Sequence, residues 1–177
     1  MSVTVLGIDP SLTNTGLCCG GSEYPIVETW SVNYEIPKGD KISDIIPRVN
    51  RLNYLQRELD EVIQRTTPDL IVIEGYGHES KRMATTAEWG GLLRWTILNH
   101  TEDVIEVAPT LLKKFVLGKG TGNKDQVLLQ VYKRWGVESD NSDEADAYVL
   151  YRIGLCYAGI CEPETKPQRE VIEKLKS

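Results

Sequence analysis

The sequence predicts an α/β domain built on a mixed five-stranded sheet flanked by helices, and three observations carry that prediction. Two apolar runs rich in β-branched residues, VTVLGID at 3–9 and DLIVIE at 69–74, each close on an acid, as buried strands ending at a sheet edge do. Between them lies a helix-sized stretch with apolar residues at helical spacing, the length a parallel crossover needs. Segments 15–21 and 26–34 follow the first run so closely that the spacing points to an antiparallel meander.

Taken in order, Pro10 stops the first strand, and a Gly-Ser-Glu-Tyr-Pro turn region separates the second and third. A helix is expected over about 43–66, with Val49, Leu52, Leu55, Leu59, Val62 and Ile63 on its buried face, closed by Pro68. The strand at 69–74 precedes a helix over about 80–99, a strand at 103–107 and a short helix at 109–117 opened by Pro109. The loop Gly118–Asn123 holds three glycines and leads into helices near 124–135 and 142–160. Residues 1–161 are read as one domain, and 162–177 as a polar C-terminal tail, broken by Pro163 and Pro167 and expected to be mobile.

The chain has 177 residues, 41% of them apolar and 26% charged, which suits one soluble domain with a sizeable core. No apolar run reaches the roughly 18 residues of a membrane span, and the N-terminus has no signal-peptide pattern, so an intracellular, cytoplasmic protein without membrane contact is expected. Cys18, Cys19, Cys156 and Cys161 form no CxxC pair and are read as free buried thiols rather than a zinc site or a disulfide. A net charge of −6 argues against coating a polyanion by bulk attraction, but a local basic patch would suffice for binding one.

Four acids carry the functional reading. If the runs ending at Asp9 and Glu74 are parallel neighbours, both carboxylates leave the same sheet edge, where α/β sheets place ligands. Asp143 and Asp146 stand i, i+3 on the last helix, on the face continued by Ala147, Leu150, Ile153 and Tyr157. They therefore point inward with the apolar stripe, whereas Glu144 is expected on the solvated side. Four carboxylates so gathered repel unless a cation or proton lies between them. Oxygen donors of this kind suit Mg²⁺, with Mn²⁺ as substitute, and two such ions about 4 Å apart can hydrolyse a phosphodiester without a general-base histidine. Singly, each acid has an ordinary alternative. Asp9-Pro10 could open a turn, Glu74 could be a loop residue, and Asp143 and Asp146 could complement a helix dipole behind Ser142 as N-cap. His78 is read as a loop residue and His100 as a helix end.

The segments GIDPSLTNTG at 7–16, IVIEGYG at 71–77, APTLLKKFVLGKGTGNKDQV at 108–127 and DEADAYVL at 143–150 resemble, in order and spacing, the RuvC family of Holliday-junction resolvases, with phage-type proportions. The resemblance implies an RNase H-like fold over 1–161, a homodimer, and Mg²⁺-dependent paired nicking of four-way junctions. It places Asp9 and Glu74 on the family's strand acids, and Asp143 and Asp146 on its final-helix pair. Lys113 and Lys124 fall on two lysines near the scissile phosphate. The chain departs from the family at Ser11, where glycine is common. It also carries Gly77 where many members have a base-stacking aromatic, with Tyr76 one position earlier.

Lys81, Arg82, Lys113, Lys114, Lys119 and Lys124 are candidate DNA contacts, Lys113 and Lys124 flanking the glycine-rich loop, and Tyr76 is a candidate stacking residue. Lys133 and Arg134 are read as a solvated face, and Trp89 and Trp95 as core or dimer contacts. Two other readings stay open: an endonuclease of the same fold with broader branched-DNA specificity (flaps, forks, replication intermediates), and an actin- or sugar-kinase-type phosphate-binding protein, whose first hairpin also reads G-I-D-x-S-x-T. The latter would need a second lobe that this length hardly supplies.

Overall fold

A computed structural model describes residues 3–21, 28–41, 43–76 and 83–177, with the side chains of 83–86 left aside. Among these residues, five strands, β1 (Thr4–Asp9), β2 (Thr15–Gly21), β3 (Glu28–Val32), β4 (Leu70–Glu74) and β5 (Val104–Val107), form one sheet in the order β3-β2-β1-β4-β5. The first three pair antiparallel as a meander, while β1–β4 and β4–β5 are parallel. Among the described residues, six helices surround the sheet: α1 (Ile45–Thr66), α2 (Met83–Leu98), α3 (Pro109–Leu117), α4 (Lys124–Trp135), α5 (Ser142–Tyr157) and α6 (Lys166–Lys176).

The period-two alternation of a strand divides the core into two halves. Leu6 and Ile8 of β1 and Ile71 and Ile73 of β4 face α1 and α2, joining Leu55, Leu59, Trp89, Leu93 and Ile97. Val5 of β1 and Leu70 and Val72 of β4 face the other side, against α5 with Leu150, Ile153 and their neighbours from α3, α4 and α6. Glycine is required at two strand positions beneath the backbone of α5. A Cβ at Gly7 would collide with the Ala147 carbonyl, and one at Gly16 with the Asp143 carbonyl. These two positions let the helix backbone rest directly on β1 and β2.

Two expectations are corrected, and a third is resolved between its alternatives. Val49 is 43% exposed and Arg51 takes the buried place on α1, because the helix turns its stripe toward Leu55, Leu59, Val62 and Ile63. Of the two tryptophans, Trp89 is fully buried in the core while Trp95 is exposed, as a surface contact residue would be; six residues apart on a 3.6-residue helix, they stand about 120° apart around its axis. The segment 162–177 is not a mobile tail. Thr165 caps α6 in a reciprocal capping box with Gln168, Val171 and Ile172 are buried, and Lys114 pairs with Glu170 at 2.6 Å. Two apolar residues on one face are enough when the rest of the helix is well capped.

Candidate active site

The alternation that sorts the core also aims the acids. Asp9 follows Val5 and Gly7 on the α5-facing side of β1, and Glu74 follows Leu70 and Val72 on the same side of β4. Ile8 pairs with Ile73 in the parallel register, so the acids one step beyond stand side by side at the sheet edge. From above, α5 delivers Asp143 and Asp146 in its first two turns, held down by Gly7 and Gly16.

Asp9, Asp143 and Asp146 are all buried, and Glu74 is half-buried. Burial, then the neighbouring charges of Glu74, Asp146 and Asp143, push the Asp9 carboxyl well above the ordinary range. Burial and Asp146 push Glu74 up to about 7. Burial, opposed by Lys124 and reinforced by Asp143, pushes Asp146 up to about 6. Four carboxyls crowded in a site that water barely reaches prefer to share protons or a cation. One oxygen of Asp146, Oδ1, is buried with no hydrogen-bond partner, an unmet acceptor aimed into the cluster.

The cation in the cluster is Lys124. Its Nζ lies 2.6 Å from Asp143 Oδ1, and Asn14 Nδ2 approaches the other oxygen of the same carboxylate at 3.4 Å. Partial burial pulls the ammonium down, but the hydrogen bond and charge of Asp143, followed by Asp9 and Asp146, carry it above its usual value. Lys124 is the first residue of α4, where a helix dipole disfavours positive charge. Asn123 compensates with a capping box to Gln126, and the acids supply the attraction. Lys113, half-buried on α3, is near enough for its charge to lower both Glu74 and Asp146. Among the described residues, no three His, Cys, Asp or Glu side chains converge tightly enough to make a ready-made metal cage. The donor set nevertheless fits a divalent ion: four mutually repelling oxygen ligands, one with an orphaned acceptor, around a position that already attracts a cation.

The remaining candidates scatter. Lys114 points away from the acids to Glu170 on α6. Lys119 is exposed in the loop after α3. Tyr76 lies just past Glu74, 39% exposed, but one face of its ring is covered by the Arg94 guanidinium at 4.2 Å. Arg94 is in turn held by Glu106 at 2.8 Å and the Gly90 carbonyl at 2.9 Å. Lys81, Arg82, His78 and Gly77 lie outside the described residues. His100 binds Asp60 at 2.6 Å, tying α2 to α1 far from the acids.

Two features escaped the sequence reading. Glu144 is buried, not solvated. It accepts from Ser31 of β3 at 2.9 Å and from Asn141 Nδ2 at 2.8 Å, so the first turn of α5 is stitched to the sheet's edge. The N-cap is Asn141 rather than Ser142; its side chain accepts from the Asp143 and Glu144 amides, both at 3.0 Å. The Asn-Ser pair ahead of three acids within five residues could have signalled this, since Asn caps at least as well as Ser. Ser31 gave no signal, being distant in the chain.

Comparison with known proteins agrees with this geometry. The chain is 29% identical over 166 residues to a crossover junction endodeoxyribonuclease RuvC of Chlamydia trachomatis serovar L2, covering 89% of this chain and 92% of the relative. It is 32% identical over 149 residues to the RuvC of Oleidesulfovibrio alaskensis, covering 82% and 86% respectively. The structure of Thermus thermophilus RuvC in complex with Holliday junction substrate superposes with a TM-score of 0.68 at 20% identity, covering 89% of this chain and 96% of that one. This likeness fixes an RNase H-like fold. The family model for crossover junction endodeoxyribonuclease RuvC matches residues 5–151, a span that runs from β1 through Asp146 on α5, and the chain belongs to the RuvC family of endonucleases.

Proposed function

We propose that this chain resolves four-way DNA junctions by metal-dependent hydrolysis of phosphodiester bonds, acting as a homodimer that places paired nicks. The observation that carries the reading is the convergence of Asp9 and Glu74, from parallel strand ends, with Asp143 and Asp146 from α5, beside two lysines. Asp9, Glu74, Asp143 and Asp146 would hold two Mg²⁺ ions, or Mn²⁺ in their place. When bound, such ions lower the pKa of a water and stabilise the leaving 3′ oxygen.

The chain's own residues set the rest. Burial of the acids excludes bulk water, which strengthens every charge interaction there. Lys124 has a side chain that is 63% exposed, so it can exchange its contact with Asp143 for a backbone phosphate. Lys113 stands on the other side, near Glu74 and Asp146, and the loop Gly118–Asn123 links the two lysine-bearing helices. Positive charge is thereby concentrated around a negative centre in an acidic protein, and phosphate groups are drawn to the rim rather than the whole surface. Tyr76, Lys114, Lys119, Lys81 and Arg82 are further DNA-contact candidates, and Tyr76 would offer a base its uncovered face. A symmetric junction needs two sites, and the exposed Trp95 (60%) and Leu98 (56%) on α2 supply an apolar surface for a second copy. A cytoplasmic setting accords with this role, and among the described residues no helix is long and apolar enough to cross a membrane.

The test is cleavage of a movable-core four-way junction with and without divalent cation, mapped at nucleotide resolution, beside flap and fork substrates. Paired, symmetric nicks on the junction support resolution. Equal cutting of flaps and forks replaces it with a broader branched-DNA endonuclease, and cutting undiminished by a chelator removes the metal.

A further inference from the structure

A close pair of thiols lies at the far end of α5, away from the acid cluster. Cys156 Sγ and Cys161 Sγ are 2.6 Å apart, both thiols free. The backbone brings the two residues together. Gly159 adopts a left-handed conformation, φ 75°, and the chain turns back so that the amides of Ile160 and Cys161 bond to the Leu155 carbonyl at 2.8 and 3.4 Å. That turn sets residue 161 above the helix's last turn, over residue 156.

Cys156 is buried and Cys161 half-buried, and both border a pocket of about 260 Å³ shared with Gly159, Glu162, Arg169 and Ile172. The Cys156 thiol donating to it, with the Arg152 guanidinium close by, holds Cys161 down at about 7 against the opposing effect of burial. One sulfur is therefore the accessible nucleophile and the other its buried partner, the division a resolving pair requires. Among the described residues no further His, Cys, Asp or Glu joins them to complete a metal site.

We propose that Cys156 and Cys161 are a reversible dithiol–disulfide pair, oxidised by a hydroperoxide, that clips the start of the α6 segment to the end of α5. The Cys161 thiolate attacks one peroxide oxygen, the O–O bond breaks, and the leaving oxygen departs as hydroxide, which takes up a proton to become water. The Cys161 sulfenic acid so formed is attacked by the Cys156 sulfur, which gives up its proton. The S–O bond breaks, that proton leaves with the hydroxyl as a second water, and the S–S bond forms. Two thiols and one hydrogen peroxide thus become one disulfide and two waters, and a dithiol reductant reverses the change. The bond would close a loop immediately ahead of Glu164, which already holds Trp135 at 3.3 Å and Arg152 at 3.6 Å. It would thus secure the path into α6, which packs on α3.

Both cysteines fall in one tryptic peptide, 153–169, because no Lys or Arg lies between them and the Lys166–Pro167 bond resists trypsin. After treatment of the native full-length chain with hydrogen peroxide, that peptide is expected to lose two hydrogens and regain them with dithiothreitol. Closing so short a loop should raise Tm by about 5 °C. In C156S the reaction should stop at a sulfenic acid on Cys161, captured by dimedone, whereas C161S should give no adduct on Cys156. Overoxidation of Cys161 without ring closure, a disulfide between two chains, or earlier oxidation of Cys19 would overturn the proposal. The measurement on the unmutated chain decides the matter even if a variant folds poorly.

Discussion

Replacing Asp146 by Asn should move stability and activity in opposite directions. The Asp146 carboxyl is buried, has an oxygen without a partner, and is pushed up from its ordinary 3.8 to about 6. Ionising it in the metal-free fold is therefore harder than in the unfolded chain, by about 3 kcal/mol at pH 8. The sign follows from proton counting. Below about pH 3.8 the group is protonated in both states and contributes nothing. Between about 3.8 and 6 the folded state holds the extra proton, so the metal-free protein loses stability as pH rises; above about 6 the loss is complete. An amide keeps the shape without the charge but still buries a polar group, so a net gain of roughly 1–2 kcal/mol remains. For a chain of this size that is a Tm rise of about 3–6 °C at pH 8, which shrinks as pH falls and turns into a small loss near pH 4, where only the cost of the buried amide remains. Thermal unfolding in chelator at pH 4, 6 and 8 measures this. Adding Mn²⁺ should stabilise the unsubstituted protein and leave the variant unmoved, and junction cleavage should be lost while gel-shift binding is kept. A variant that is less stable at pH 8, or equally altered at pH 4 and pH 8, would show that Asp146 does not bear uncompensated charge in the cluster.

Further outcomes test other parts of the structure. Lys124→Ala should slow cleavage at least tenfold and shallow the salt dependence of junction binding by about one phosphate contact; an unchanged rate and slope would leave Lys124 as a counter-ion alone. Gly16→Val should cost at least about 3 kcal/mol by urea unfolding, because the collision is with helix backbone, whereas Gly91→Ala on α2, with open space around it, should gain roughly 0.5–1 kcal/mol. Glu144→Ala should cost about 1–3 kcal/mol by stranding Ser31 and Asn141; Glu144→Gln, which keeps an acceptor, should recover most of that loss in the same assay.

What could be read from the sequence followed how local the signal was. The ends of β1 and β4 were legible because an apolar run closing on an acid is a pattern within one strand, and the intervening helix made the strands parallel. Asp143 and Asp146 were legible because helical spacing tied them to an apolar stripe. Glu144 was not, since its partner Ser31 lies on another element and a charged residue between two inward positions reads as solvated. Helix α6 was missed because two prolines and many charges outweighed Val171, Ile172 and Leu175; only the faces offered by α3 and α5 give those side chains something to cover. The Tyr76–Arg94 stack likewise depends on α2 and β5 coming together, which no local pattern announces.

The alternation along β1 and β4 has a consequence for which length changes the chain can survive. Deleting a single residue from the middle of either strand would carry its terminal carboxylate through the sheet to the side occupied by α1 and α2, among leucines and isoleucines. The spacing from strand start to acid is thus as strictly held as the acid itself. Insertions and deletions in relatives should collect in the hairpin and loop segments, and any that fall inside these two strands should come in pairs.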